Sequence, residues 1–277
     1  MNLPIHPAGN MPASEEMRAA ALHWLAHDDV YEKAAGVRQL RRLWQQEKIS
    51  LHTEYVLQEP AALPGRPVLP ELVPPAKVPR RAMHTAEGRA ALIHALAHIE
   101  FNAINLALDA IWRFPDLPSD YYVDWLQVAD EEAYHFSLLS DHLRAAGHAY
   151  GDFPAHNGLW DMAEKTKESP LVRMALVPRT LEARGLDATP AVRAKLAQVG
   201  DQSGAAILDI ILRDEIGHVA IGNRWYAFFC QQQGLEPLDT YRRLARQHDA
   251  PALRGPFNID ARRQAGFSEV ELKNLEE

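Results

Sequence analysis

A single cysteine, Cys230, stands among the 277 residues, so no internal disulfide can form and a reducing compartment is expected. A basic leader followed by an apolar stretch is lacking, and so is any apolar run approaching the roughly 18 residues that span a bilayer. Export and membrane insertion are therefore not expected, which leaves the cytoplasm. Basic charge is in deficit: Lys+Arg 29 against Asp+Glu 37 gives −8, which argues against a broad electrostatic grip on nucleic acid and leaves only local basic patches. There is no low-complexity tract, and 47% hydrophobic with 24% charged residues excludes a disordered or collagen-like chain. A chain of this length can bury a substantial core.

What the sequence does contain is helical periodicity. Ser14, Glu15 and Glu16 have the chemistry of a helix start, and Met17, Ala20, Ala21, Trp24 and Leu25 come next at helical spacing. A second pattern over 31–46 carries Arg38, Arg41 and Arg42, read first as a solvated face and only second as a phosphate-binding surface. Seven prolines between Glu59 and Arg80 remove backbone donors and predict an extended arm. Four long helices are then expected: 86–112, 119–146, 159–185 interrupted by Pro170 and Pro178, and one from Pro190 or Asp201 to 233. A helix over 237–247, a loop over 251–258 and a short polar helix from Ser268 complete the chain. The expected architecture is all-α. Residues 1–84 form N-terminal helices and the proline-rich arm, 85–235 a four-helix bundle, and 236–277 a helical tail packing on it.

The apolar stripes of these helices are interrupted by charge. Glu100 lies in the first stripe, Glu132 and His135 in the second, Glu182 in the third, and Glu215 and His218 in the fourth. With 20 Glu and 13 His, chance supplies about one Glu-x-x-His; the chain has two, each on the core face of a long helix and each preceded by a lone core Glu at nearly equal distance. Four ionised glutamates balance two divalent cations, and neutral imidazoles complete the coordination, so a costly buried charge cluster becomes neutral when filled. In this reading each Glu-x-x-His places an oxygen and a nitrogen on one metal, and the two lone glutamates bridge ions about 3.5–4 Å apart. The pattern matches that of di-iron and di-manganese bundles, and oxygen-rich ligation suits iron or an iron/manganese pair. The competing reading is six polar residues satisfying one another without metal, which would force protonation or repulsion among the carboxylates.

With those elements in place, residues 85–233 resemble the ferritin-like superfamily of dinuclear carboxylate proteins. The wording HIEFNAINLALDA, ADEEAYHFSLLSDHL, YGDFPAHNGLWDMAEKT, ARGLD, ILRDEIGHVAIGNRW and RGPFNIDARRQAGF resembles one bacterial family within it, domain of unknown function 455. The resemblance implies a ferritin-like fold and metal binding and brings no substrate. In ferritin-like oxygenases an acid directly before each Glu-x-x-His orients the opposite histidine; by resemblance Glu131 and Asp214 take that place. A related ferritin-like group includes a tRNA hydroxylase, a more distant analogy.

Other residues carry two readings each. Pro178 can bend the third helix and open the site. Gly217 leaves room for dioxygen or substrate, or for close helix packing. Arg179 can pair with a carboxylate near Glu182 or with a surface acid on another helix. Tyr122, Trp125, Tyr134 and Trp225 are packing residues before they are redox relays. His94 and His98 are assigned to a separate face with Asn102, Asn105 and Asp109, and Cys230 to the core.

Three functions are consistent with this reading. The favoured one is an oxidoreductase whose dinuclear non-haem centre activates dioxygen to oxidise or hydroxylate a small organic substrate, supplied by an external reductant and working as a monomer or homodimer. The alternatives are ferritin-type metal oxidation and storage, and a tRNA-modifying hydroxylase using the clusters Arg38, Arg41, Arg42 and Arg80, Arg81.

Overall fold

The computed structural model describes residues 16–276 apart from 61 and 80, so Ser14, Glu15 and Arg80 lie outside the described residues. Among the described residues the chain is all-helical and contains no strand. Met17–Ala26 (α1) and Val30–Gln45 (α2) come first, and Asp29 caps α2 by accepting from the amides of Tyr31 and Glu32. The proline-rich arm holds one short 3-10 turn, Pro75–Lys77. Next come Ala86–Arg113 (α3), capped by the Thr85 hydroxyl, and Ser119–Ala145 (α4).

Gly158–Lys165 (α5) is a separate short helix. Pro170 does not interrupt a helix but starts one, at a first-turn position where its missing N–H is not needed. From there Pro170–Leu176 (α6), the π turn Val177–Glu182 and Ala183–Gln198 (α7) form one continuous run. The expected end at Gly185 is thus wrong by more than three turns. Pro190 inside α7 would free the carbonyl of Leu186, and the Asn258 side chain donates to that carbonyl at 3.2 Å. Gln202–Gln232 (α8) is capped by Asp201. Pro237–Gln247 (α9), Ile259–Gln264 (α10) and Glu269–Glu276 (α11) complete the chain; α10 is not expected from the sequence.

In the packing, α3 runs along α4, α8 lies against α4, α6 and α7, and α1 and α2 cover α3 and α4. The order of contacts between α4 and α8 makes them antiparallel: His142 meets Asp201 at one end, and Trp225 donates to Asp124 at the other. One apolar core runs from Met17 to Leu244, and a smaller one joins Ala183, Leu186 and Val219 to Ala261, Phe267 and Leu272 of the tail. Helix α3 is long and apolar enough to cross a membrane by composition, with a mean hydropathy of 1.3, but 67% of that window is buried, as in a core helix. Glu100, Asn102 and Asn105 break its apolar run, which is why the sequence alone does not show such a stretch.

The π turn is where Pro178 matters. A proline cannot donate to the preceding turn, and one extra residue per turn relieves the clash of its ring. The Thr180 hydroxyl donates to the Ala175 carbonyl at 2.7 Å. Opposite, Gly222 of α8 lets the ring approach: a Cβ there would lie 2.4 Å from that of Pro178. Gly222→Ala is expected to push the π turn off α8, costing about 1–3 kcal/mol and displacing Glu182. Thermal unfolding and metal content checked side by side should both fall.

Candidate metal centre

Four helical elements deliver the six core-facing donors. Glu100 comes from α3, Glu132 and His135 from α4, Glu182 from the last position of the π turn, and Glu215 and His218 from α8. All are buried, Glu132, His135 and His218 completely. Single ligand atoms of Glu100, Glu132 and His135 lie within 4.8 Å of one another, as do those of Glu132, Glu215 and His218. Glu132 is common to both trios. Its Oε2 is 3.3 Å from His135 Nδ1 and its Oε1 3.0 Å from His218 Nδ1. Glu100 Oε2 is 3.2 Å from His135 Nδ1, and Glu215 Oε2 4.0 Å from His218 Nδ1. Sequence spacing assigns the bridging place to the lone glutamates; in the structure the carboxylate between the two halves is Glu132, because α4 brings it between both imidazoles. Glu182 belongs to neither trio, yet the charges of Glu132 and His218 act on it.

The outer nitrogens of the histidines define their orientation. His135 Nε2 lies 3.1 Å from Asp214 of α8, and His218 Nε2 lies 2.7 Å from Glu131 of α4. A carboxylate only accepts, so each Nε2 carries a proton, and each Nδ1 faces the glutamates, where a metal ion would take the place of any second proton. Glu131 and Asp214 are thus crossed, each reaching the histidine of the other helix.

The cluster has more acceptors than protons to satisfy them. Glu182 Oε2 and Glu215 Oε2 are buried without a hydrogen-bond partner, and Glu132 Oε1 and His218 Nδ1 face only each other, at 3.0 Å and outside good hydrogen-bond geometry. Burial, then repulsion from Glu132, pushes the Glu100 and Glu182 carboxyls up to about 8, and the same causes raise Glu215 well above its ordinary range. Burial opposes charge on Glu132 too, but the adjacent histidines outweigh it and hold the carboxyl low. Burial likewise opposes charge on the imidazoles; Asp214, Glu100 and Glu132 around His135, and Glu132 and Glu131 around His218, outweigh it and raise both. Four buried oxygen-rich side chains, two imidazole lone pairs and orphaned acceptors aimed together fit a pair of divalent cations, which would replace the protons.

These shifts have a definite sign. Groups held above their ordinary values, Glu100, Glu182 and the histidines, stabilise the metal-free fold at low pH and lose that contribution as pH rises through about 8 for the two carboxyls. Glu132 and Asp214, held low, contribute above the ordinary carboxylate range and lose it only in acid. Chelator-stripped protein is therefore expected to melt at lower temperature at pH 8.5 than at pH 5.5, and added divalent metal to abolish or reverse that trend. Melting curves across this range, with and without metal, check both statements.

The remaining side chains fall elsewhere. A Cβ at Gly217 would meet nothing within 4 Å, so close helix packing is not what that glycine serves. Arg179 is buried and does not pair with Glu182; it makes the interhelical pair, with the partly exposed Glu271 of α11, and donates to Asn223 Oδ1 at 2.6 Å, under the rings of Tyr226, Tyr241 and Phe267. Sequence spacing holds no signal for the Glu271 partner, 92 residues away. Tyr122 donates to the Phe114 carbonyl at 2.7 Å, Trp125 is core, and Tyr134 lies under Arg38. Arg38 also faces Asp130 at 3.5 Å and Arg81 pairs with Glu87, so part of the basic charge is neutralised internally. His94 and His98 occupy a second buried face of α3, with burial holding both imidazoles down at about 4. Cys230 is buried.

Comparison with known proteins gives a family and no chemistry. A protein of Haemophilus influenzae described as uncharacterized is 51% identical over 219 residues, covering 76% of this chain and 75% of that protein. No solved structure matches the chain. Residues 26–273 match the family described as "Protein of unknown function (DUF455)", and with that match and that relative the chain belongs to the DUF455 family.

Proposed function

We propose that α3, α4, the α6–α7 run and α8 form a ferritin-like four-helix bundle around two divalent metal ions, and that the protein is an oxidoreductase using them to activate dioxygen against a small organic substrate. The observation that carries this reading is the set of orphaned, buried acceptors between two imidazoles whose protons point outward. Glu100, Glu132, Glu182, Glu215, His135 and His218 would hold the ions, iron or an iron/manganese pair, which supply the electrons that reduce dioxygen. The chain's own residues do the rest. Asp214 and Glu131 lock the tautomers so that each Nδ1 presents a lone pair inward. Glu132, with one oxygen toward each imidazole, ties the two halves together. In the metal-free cluster burial keeps protons on Glu182 and Glu215, and the ions would displace those protons on binding. The apolar shell of α3, α4 and α8 excludes water. Reduced iron and a free Cys230 thiol both suit the cytoplasm.

The test uses the full chain. Protein loaded anaerobically with Fe(II) and then exposed to air should consume oxygen and change its absorption; absence of both would remove the oxidoreductase reading. Sizing separates the alternative: a large hollow particle would favour metal storage, a monomer or dimer the enzyme. Salt-sensitive tRNA binding is the outcome that would favour the tRNA-directed reading.

A further inference from the structure

We propose that the pocket beneath the proline-rich arm binds a short-chain monocarboxylate, with its carboxylate on the Arg66 guanidinium and its alkyl chain against Phe101 and Leu72. This inference is independent of the metal reading: the pocket lies on the His98 face of α3, away from Glu100.

The cavity holds about 130 Å³, which is space for about four waters or an organic acid of about six non-hydrogen atoms, far below a drug-sized site. The arm is fixed over it. Val73 donates to the Ala155 carbonyl at 2.8 Å and Ala155 to the Glu71 carbonyl at 3.0 Å, while Gly65 donates to the Leu25 carbonyl at 2.8 Å. Most of the lining is apolar, and Pro67 and Pro70 in the arm have no N–H to offer a ligand.

Positive charge at this place is uncompensated. Lys33, fully buried, donates to the carbonyls of Leu25 and Gly65 and to Asn105 Oδ1, with its ammonium 4.9 Å from the centre of the Phe101 ring. Arg66, half-buried, lines the pocket directly. Among the described residues neither has a carboxylate in an ion pair; Asp28 acts on Lys33 and Asp161 and Glu164 on Arg66 only from farther away, and the Arg66 charge disfavours that of Lys33. Burial lowers the Lys33 ammonium well below its ordinary value, so Arg66 is the cation that faces the apolar cavity and attracts an anion there.

The donors in the wall decide which anion. His98 Nε2–H donates to the His156 carbonyl at 3.0 Å, which leaves Nδ1 to accept the Tyr150 hydroxyl proton at 2.8 Å. The Asn102 amide donates to the His98 carbonyl at 2.8 Å. Tyr150 therefore presents an oxygen lone pair, the Asn102 amide nitrogen is turned toward His98, 3.1 Å from its Nε2, and the guanidinium is the charged donor left for an anion. One planar fork satisfies a carboxylate fully, whereas it would meet only two oxygens of a phosphate and leave the others facing the mostly apolar wall without donors.

Calorimetric titration of the full chain with butyrate tests this, beside butyramide and inorganic phosphate. Saturable butyrate binding is expected, with butyramide and phosphate about tenfold weaker or more, and Arg66→Gln weakening butyrate by about tenfold. Leu72→Trp, at a partly exposed position of the arm, should fill the cavity and abolish binding, and it serves where Arg66→Gln does not fold. Binding that survives Leu72→Trp, phosphate binding as tight as butyrate, or no saturable butyrate binding up to about 10 mM, a range in which an anchored small acid should register, would overturn the proposal.

Discussion

Glu132→Ala is expected to take the metal content of the purified chain from two ions to near none, in one step. The reason is position. Glu132 alone belongs to both trios, with one oxygen toward His135 and the other toward His218. Its loss removes an acceptor from each half and leaves Glu100, Glu182 and Glu215, all inclined to keep their protons, as the remaining carboxylates. Glu182→Ala removes a donor outside both trios and should lower content less. Elemental analysis of the two variants, prepared in parallel without added metal, makes the comparison. A Glu132→Ala protein that kept one ion per chain would show that the halves bind separately and would refute the bridging role.

Arg18→Met should destabilise the fold by about 3–5 kcal/mol, lowering the melting temperature by about 10 °C, while folded protein keeps its metal. Arg18 is fully buried and donates to five backbone carbonyls, those of Ile111 and Trp112 at the end of α3 and those of His52, Thr53 and Tyr55 in the segment after α2. The cation also sits at the negative end of the α3 dipole. Methionine preserves the stem but leaves those carbonyls in an apolar setting without donors. Thermal unfolding with metal analysis of the soluble fraction separates this effect from damage to the centre. Unchanged melting would mean that water replaces the guanidinium and that the end of α3 is more open than its burial indicates.

How much of this is visible in the sequence depends on the distance over which each feature is decided. The long helices are legible because their signals are local: apolar residues at three- and four-residue spacing, Thr85 and Asp201 as caps, and Gly234 in a left-handed conformation after α8. The gathering of Glu and His donors is legible for the same reason, since charge on an apolar stripe must point inward. The continuation of α7 past Gly185 is hidden because the group that satisfies the Leu186 carbonyl is Asn258, far along the chain. The π turn is hidden as well: Pro178 signals a broken helix, and only its contact with Gly222 shows that the run widens instead of stopping. The central place of Glu132 depends on how deeply α4 sits between its neighbours, which periodicity does not encode. Helix α10 escapes because six residues with two arginines carry almost no apolar pattern; Arg262 is held in its buried place by pairing with Asp187 of α7.

The crossed acids make α4 and α8 behave as the two jaws of a calliper. Each imidazole is steadied by a carboxylate rooted in the opposite jaw, at 3.1 Å in one direction and 2.7 Å in the other. Prising the jaws apart by a single ångström would stretch both contacts beyond useful length together and free both rings to rotate. Ion retention therefore gauges the separation of two helices, and a mutation far from any donor that wedges them open should be detectable first as leached metal, before the protein unfolds.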